Sequence, residues 1–154
     1  MNIPPALLDC LKRNQIDYEI LPHAKAFTAR MAAAAEDIAR HHQAKVVMVS
    51  SRGDPVMTVL PADRQLDLRK LERITHERAA LQSEGELASL FPDCAVGAMP
   101  PFGNLYGLPT YVDQYLAEQD YIVFEARTYT EAIKLSYRDY ERVVKPKVAD
   151  LAMG

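Results

Sequence analysis

The feature of the sequence that most constrains its fold is a pair of apolar runs separated by a short polar turn. Lys45 precedes the first run, residues 46–49, and the second run extends from Val56 to Leu60. Between them, residues 51–54 are Ser, Arg, Gly and Asp, a composition that favours a turn. Continuous apolar runs of this length, rich in valine, are typical of strands that are buried on both faces. The sequence therefore predicts a β-hairpin over residues 46–60.

The segments around this hairpin alternate between helical and strand patterns. A serine with an acidic residue three positions later marks two helix starts, at Ser83 and at Ser136. We predict helices from Pro4 or Pro5 to Asn14, from Thr28 to about His42, over 67–76, from Ser83 to Phe91, and from Ser136 to Val144. We predict further strands over 17–21, 95–98, 109–113, 121–124 and 132–136. Because several strands follow one another without an intervening helix, the expected fold class is α+β, a mixed α/β domain. Its sheet should be largely antiparallel and barrel-like, surrounded by helices, rather than doubly wound and parallel.

The length and composition indicate one soluble domain over residues 1–154. Hydrophobic residues make up 49% of the chain and charged residues 25%, which is an ordinary globular balance. Two cysteines, Cys10 and Cys94, are too few for a disulfide framework, and we interpret them as small buried side chains in a reducing compartment. Residues 1–11 contain two prolines and Asp9 and no basic leader, so neither a signal peptide nor a membrane association is expected. The predicted location is the cytoplasm.

The charges are distributed unevenly along the chain. The net charge of −3 argues against a protein that coats nucleic acid without specificity. Residues 79–126 contain no Lys or Arg, whereas the segments on both sides are basic. The first basic segment contains Arg64, Arg69, Lys70, Arg73 and Arg78, and the second contains Arg127, Lys134, Arg138, Arg142, Lys145 and Lys147. Either a solvated surface or an RNA-contacting face explains these two segments.

The common catalytic and metal-binding motifs are absent from the sequence. It contains no GxSxG, no phosphate-binding GxxxxGK(S/T) and no GxGxxG. The four histidines, at positions 23, 41, 42 and 76, lack HExxH spacing and have no CxxC pair nearby. We therefore expect no metal and no cofactor, and we interpret the histidines as solvated or locally hydrogen-bonded.

Two local features suggest a site. Residues 96–103 contain two glycines and the pair Pro100-Pro101, which makes a stiff loop that another backbone or a ligand can approach closely. Its remaining N–H groups could point at a carbonyl or phosphate oxygen, although a rigid connection between strands also fits. Lys45 can hold its ammonium in a cleft while its stem packs on apolar neighbours, or it can be a simple exposed strand end. The residues alone leave both alternatives open for both features.

A series of short motifs extends over nearly the whole chain. In order they are 22–23 (PH), 26–29 (AFTA), 44–49 (AKVVMV), 55–57 (PVM), 59–62 (VLPA), 90–93 (LFPD), 96–104 (VGAMPPFGN), 108–113 (LPTYVD), 133–139 (IKLSYRD) and 144–146 (VKP). Their order and spacing resemble the YbaK / prolyl-tRNA-synthetase-associated domain family, the editing domains that deacylate mischarged tRNA. The resemblance implies a mixed α/β fold with a closed or nearly closed sheet.

The resemblance also implies roles for particular residues. Lys45 matches the near-invariant lysine of the family and residues 97–101 match its Gly-x-x-x-Pro loop, so Lys45, Gly97, Pro100 and Pro101 are expected to act in catalysis. The residues expected to contact the substrate are Phe27, Thr28, Met31, Met48, Met99, Phe102, Asp113 and Tyr129. Family members are similar in using no metal and no side-chain nucleophile, because water attacks the aminoacyl ester with help from the ribose hydroxyl. The expected partners are the acceptor end of a mischarged tRNA and, in one arrangement, an aminoacyl-tRNA synthetase; the expected oligomeric state is a monomer.

The chain departs from the family at one turn. Family members have Ala-Gly-(Ser/Thr)-His after the strand that ends near Phe124, whereas residues 126–129 are Ala, Arg, Thr and Tyr. Arg127 in place of a glycine with positive φ would change the turn, and Tyr129 replaces a histidine.

Three functions are therefore considered. The favoured one is a trans-acting aminoacyl-tRNA deacylase in which the loop 97–103 forms one wall of a cleft opposite Lys45. The second is a catalytically silent module of the same fold that binds tRNA, a nucleotide or an amino-acid-like ligand. The third is a hydrolase of another small acyl ester.

Overall fold

The predicted hairpin forms the centre of the sheet. In the computed structural model, which describes residues 5–22, 40–92, 99–126 and 128–153, it consists of β2 (Gln43–Ser51) and β3 (Asp54–Pro61). The two-residue turn between them, Arg52-Gly53, has positive φ at both positions, 52° and 83°. This conformation matches the right-handed twist of the strands that it joins, and glycine adopts it without steric strain. The hairpin prediction is confirmed.

The other strands extend the sheet to both sides of the hairpin. They are β1 (Tyr18–Pro22), β4 (Ala79–Leu81), β5 (Thr110–Asp113), β6 (Tyr121–Ala126), β7 (Thr128–Ser136) and β8 (Lys147–Ala149). The strand order is β1-β7-β6-β2-β3-β5-β8, with β4 paired to β2 beside this path. The mixed α/β fold class is confirmed. The parallel share is larger than expected, since β2–β6, β3–β5 and β5–β8 are parallel and the four other pairings in the described residues are antiparallel.

Five helices accompany the sheet in the described residues. They are α1 (Pro5–Arg13), α2 (Leu68–Thr75), α3 (Glu84–Leu90), α4 (Gln114–Ala117) and α5 (Tyr137–Val144). Both predicted serine caps are present: the Ser83 hydroxyl accepts from the Glu86 N–H at 3.2 Å, and the Ser136 hydroxyl accepts from the Asp139 N–H at 3.1 Å. None of these described helices is long and apolar enough to cross a membrane.

Two predicted elements fall mainly or wholly outside the described residues. Of the helix predicted from Thr28 to about His42, only the last turn is described, as a 3-10 helix over Arg40–His42. The predicted strand 95–98 lies entirely outside.

Apolar side chains from both faces of the sheet form two cores. The larger core contains Met48, Phe102, Phe124 and Ile133, and the smaller core contains Val49, Leu60, Leu71 and Leu151. Successive residues of a strand point to opposite faces, so Val46 packs against the larger core and Val47 against the smaller one. The same alternation assigns Lys45 to the face of the smaller core, which determines the surroundings of this residue.

Candidate functional site

Lys45 lines a cavity of about 510 Å³ beside β2. Its side chain is partly buried, as expected for a lysine whose stem packs on apolar neighbours. The other lining residues are Val47, Gln65, Leu66, Asp67, Leu68, Arg69, Leu81 and Met153. Five of these are apolar and two of the lining side chains, Lys45 and Arg69, are cations. Such a cavity can hold an apolar group next to an anionic or ester oxygen.

The start of α2 supplies one wall of this cavity. Asp67 caps the helix, because its Oδ1 accepts from the Arg69 N–H at 3.0 Å. The Asp67 N–H in turn donates to the Leu151 carbonyl oxygen at 2.8 Å. With its carboxylate engaged in the cap, Asp67 orients the first turn of α2 and leaves the exposed Arg69 side chain at the cavity.

The C-terminal segment holds that wall in place. The Lys70 ammonium donates to the Ala152 carbonyl oxygen at 2.7 Å and pairs with Asp150 at 3.0 Å. The Met153 N–H donates to the Gln65 carbonyl oxygen at 2.9 Å, and this bond places Met153 beside the segment that precedes α2. Sequence reasoning missed these wall residues, apart from the basic segment in which Arg69 and Lys70 lie.

Asp113 has a structural role in the described residues, and its predicted contact with the substrate stays a prediction. It is fully buried, and its Oδ2 accepts from the Tyr115 N–H at 3.0 Å to cap α4. Its Oδ1 accepts from the N–H groups of Leu151 and Ala152 at 2.9 and 3.1 Å. Because the two oxygens already accept three backbone hydrogen bonds, Asp113 links β5 to the C-terminal segment that borders the cavity.

The described half of the proline loop is packed into the larger core. Met99, Pro100, Pro101 and Phe102 are all buried, and the Phe102 ring lies 5.5 Å from the Tyr140 ring, centroid to centroid. The Tyr140 hydroxyl donates to the Pro101 carbonyl oxygen at 2.7 Å. Burial raises the pKa of Tyr140 well above its ordinary value, so this hydroxyl remains a donor at neutral pH. This half of the loop is therefore rigidly supported by α5.

Gly103 is packed so closely against residues 108–110 that a side chain at this position has no room. A Cβ at this position would collide with the Thr110 hydroxyl and crowd the Leu108 carbonyl oxygen. The Leu108 N–H also donates to the Gly103 carbonyl oxygen at 2.9 Å, which brings the two segments into close contact. The close approach that this glycine permits is thus made by residues 108–110.

The predicted substrate-contacting residues do not all lie near Lys45. Met48 points to the other face of β2 from Lys45 and packs with Phe102 in the larger core. The contact of these two residues with the substrate stays a prediction. Met99 is 6% exposed and packs in that core as well. Phe27, Thr28, Met31 and Gly97 lie outside the described residues, and their roles and the cleft between Lys45 and Gly97 stay predictions.

The turn at which the chain departs from the YbaK pattern lies at the same end of the sheet as Lys45. The last registered pair of β2 and β6 is Ala44–Phe124, immediately before Lys45. In the next residues of β6, the register with β7 shifts from Glu125–Ala132 to Ala126–Thr128, so residues 129–131 form a bulge. Arg127 is outside the described residues, and for Tyr129 only the backbone is described. The backbone therefore brings the bulge and the Lys45 end of β2 together.

The described part of the chain contains no group of three His, Cys, Asp or Glu side chains that could hold a metal ion. What the cavity offers chemically is positive charge next to apolar walls. Such an arrangement can bind and orient a substrate. Its described lining residues include no Ser, Cys or His that could act as a nucleophile.

Comparison with known proteins agrees with the fold. The crystal structure of hypothetical protein APE2540 has the same fold, with a TM-score of 0.86, 19% identity and coverage of 96% of this chain and 99% of that one. The crystal structure of a candidate trans-editing enzyme for prolyl tRNA synthetase also has this fold, with a TM-score of 0.83, 21% identity and coverage of 99% of both chains. No curated protein matches the chain in sequence. The sequence profile of the aminoacyl-tRNA editing domain matches residues 23–143, a span that includes Lys45 and the whole proline loop. The chain belongs to the aminoacyl-tRNA editing domain family.

Proposed function

We propose that the protein is a trans-acting deacylase that hydrolyses the ester of a mischarged tRNA without a metal ion. The observation that carries this proposal is the placement of Lys45 at an apolar cavity in a chain of the editing family. The likeness over full length to a candidate trans-editing enzyme for prolyl tRNA synthetase supports action in trans.

The proposed reaction needs positioning and charge from the protein. A water molecule attacks the carbonyl carbon of the aminoacyl ester, and the ester C–O bond breaks to give a free amino acid and a terminal ribose hydroxyl. The ribose's neighbouring hydroxyl assists the water, so no side-chain nucleophile is required. The Lys45 ammonium binds an oxygen of the terminal nucleotide and holds the ester in place, while loop N–H groups near Gly97 stabilise the developing oxyanion.

The cavity walls favour an apolar substituent on the substrate. Besides Lys45, the cavity is lined by five apolar residues, which are Val47, Leu66, Leu68, Leu81 and Met153. A cationic amino-acid side chain would lose its hydration against such walls and would face the like charges of Lys45 and Arg69. We therefore propose that the preferred misacylated amino acid has an apolar side chain.

The second candidate function is a catalytically silent module that binds tRNA. The observation in its favour is the bulge at residues 129–131, with Arg127 and Tyr129 where family members have Gly and His. A tyrosine keeps a hydrogen-bonding group but is larger and does not titrate near neutral pH.

A deacylation screen separates the two functions. The purified protein is incubated with a panel of tRNAs mischarged with apolar, polar or charged amino acids, and the release of amino acid and the binding of each tRNA are both measured. Deacylation of at least one apolar substrate supports the enzyme. Binding without release from any tRNA favours the silent module, and the variant Tyr129→His then tests whether the altered turn is the cause.

A further inference from the structure

Four side chains form a continuous column at the start of β2, outside the cavity already described. The His41 and His42 ring centroids are 4.5 Å apart, with a tilt of 40°. The His42 ring stacks on Tyr121 at 4.0 Å with only 2° between the planes. The Lys134 ammonium lies 4.4 Å from the centroid of the same tyrosine ring. Because His42 covers one face of Tyr121, the ammonium occupies the other face.

A hydrogen bond from the 3-10 turn to β6 fixes the position of the His42 ring. The His42 Nδ1–H donates to the Tyr121 carbonyl oxygen at 3.0 Å, since a carbonyl oxygen can only accept. The bond ties the 3-10 turn before β2 to the first residue of β6 and holds the His42 ring parallel to the tyrosine. The bond therefore preorganises His42 and Tyr121, which lowers the entropy lost on binding.

The column lies on the same face of the sheet as Lys45. Gln43 of β2 and Lys134 of β7 both pair with Val123, so these three side chains share a face. Tyr121 lies two residues before Val123 in β6, and Lys45 lies two residues after Gln43 in β2, so both side chains point to this same face. His42 precedes Lys45 by three residues, a distance of about 10 Å along an extended strand.

The chemistry of the column fits an unpaired nucleobase. His41 at its outer end is exposed, whereas His42, Tyr121 and Lys134 are partly exposed. Stacked aromatic rings with an adjoining cation are the combination with which proteins hold single-stranded nucleic acid, since each base offers a π-face and each nucleotide a phosphate.

We propose that the His41–His42–Tyr121–Lys134 column is a stacking platform for an unpaired base of RNA. Its place beside Lys45 makes the single-stranded 3′ end of the tRNA acceptor its ligand, and this choice of ligand rests on the proposed function. The exposed face of His41 takes the base, and Lys134 adds positive charge for the backbone.

Binding of a labelled single-stranded RNA with the sequence of a tRNA 3′ end, followed by fluorescence anisotropy, tests the platform. One base–aromatic stack corresponds to about 5- to 150-fold in affinity, so His41→Ala should weaken binding by a factor in that range. His41→Phe should retain the affinity because it keeps a flat ring, whereas His41→Lys, which keeps only a charge, should not. The matched control is Tyr115→Leu, since Tyr115 is also exposed and has a guanidinium, that of Arg64, 4.1 Å from its ring centroid. This control should bind like the unmodified protein.

Several results would overturn the platform: no binding of the single strand, equal binding of a duplex of the same sequence, or unchanged affinity in both His41→Ala and His41→Lys. The labelled RNA carries no amino acid, so these binding measurements do not depend on hydrolysis. If the platform variants lose binding while no mischarged tRNA is deacylated, the proposed enzyme fails and the platform stands. If the protein deacylates tRNA with equal kcat/KM in His41→Ala and wild type, the platform fails and the enzyme stands.

Discussion

Replacing Tyr140 by phenylalanine tests whether one hydrogen bond holds the rear of the proline loop. The substitution removes only the hydroxyl, which donates to the Pro101 carbonyl oxygen at 2.7 Å. Tyr140 is fully buried and Pro101 is buried as well, so no solvent replaces the lost donor. A buried acceptor that loses its partner costs about 1–3 kcal/mol. For a domain of this size that corresponds to a fall in Tm of about 2–12 °C.

The neighbouring tyrosine of α5 provides a matched control. The Tyr137 ring lies 5.7 Å from the Tyr140 ring, and its buried hydroxyl has no hydrogen-bond partner among the described residues. Removing an unpaired buried hydroxyl relieves a desolvation penalty, so Tyr137→Phe should leave the free energy of unfolding unchanged or raise it slightly. Scanning calorimetry of the three proteins measures the difference. An unchanged Tm in Tyr140→Phe, or an equal loss of stability in the two variants, would contradict a supporting role for this hydrogen bond.

Three further predictions concern the frame of the site. Gly103→Ala should destabilise the fold by about 1–3 kcal/mol, because the new Cβ collides with the Thr110 hydroxyl; an unchanged urea midpoint would show that residues 108–110 move aside. Asp113→Asn should lower the free energy of unfolding by about 1.5–3 kcal/mol, because charge-assisted bonds to backbone N–H groups are lost. The KM of any surviving activity should be unaltered, and a changed KM at full stability would show that Asp113 contacts the substrate. Burial raises the pKa of Tyr137 and Tyr140 above the ordinary 10.0, and the nearby Glu141 adds to the effect at Tyr137. Because the unfolded chain then loses these protons at a lower pH than the folded chain, stability should fall as pH rises above about 10. Unfolding curves at pH 8 to 11 check this, and the double phenylalanine variant should show a smaller pH dependence.

The sequence predicts the parts of this fold that depend on local pattern. The hairpin follows from two apolar runs around a glycine-containing turn, and the cap at Ser83 follows from the spacing of one serine and one glutamate. Lys45 was predicted at the start of the first run, and in the structure it occupies the third position of β2. These features need no knowledge of distant residues.

Other features depend on contacts between distant segments and leave no local signal. A run that is apolar at every position does not show which face meets which core, so the packing of Met48 in the larger core and Val49 in the smaller one has no local signal. The edge strand β8 has only three residues, two of which are exposed, so it is too short to show an apolar period in the sequence. Asp113 looks like a site residue in the sequence, and only the backbone of Leu151 and Ala152, folded against it, explains its burial.

The central claim is that Lys45 serves substrate engagement in a tRNA deacylase and not the stability of the fold. The most direct measurement is kcat/KM for the best mischarged tRNA of the panel, with Tm, for Lys45→Met, which keeps the apolar stem and removes the charge. The control is Lys147→Met, an exposed lysine of β8. We predict that Lys45→Met loses about 100-fold or more in kcat/KM, as expected for a lost transition-state contact. Its free energy of unfolding should change by no more than about 1 kcal/mol. Lys147→Met should match the wild type in both measurements. Full activity in Lys45→Met, or an activity loss accompanied by an equal loss of folded protein, would contradict the claim.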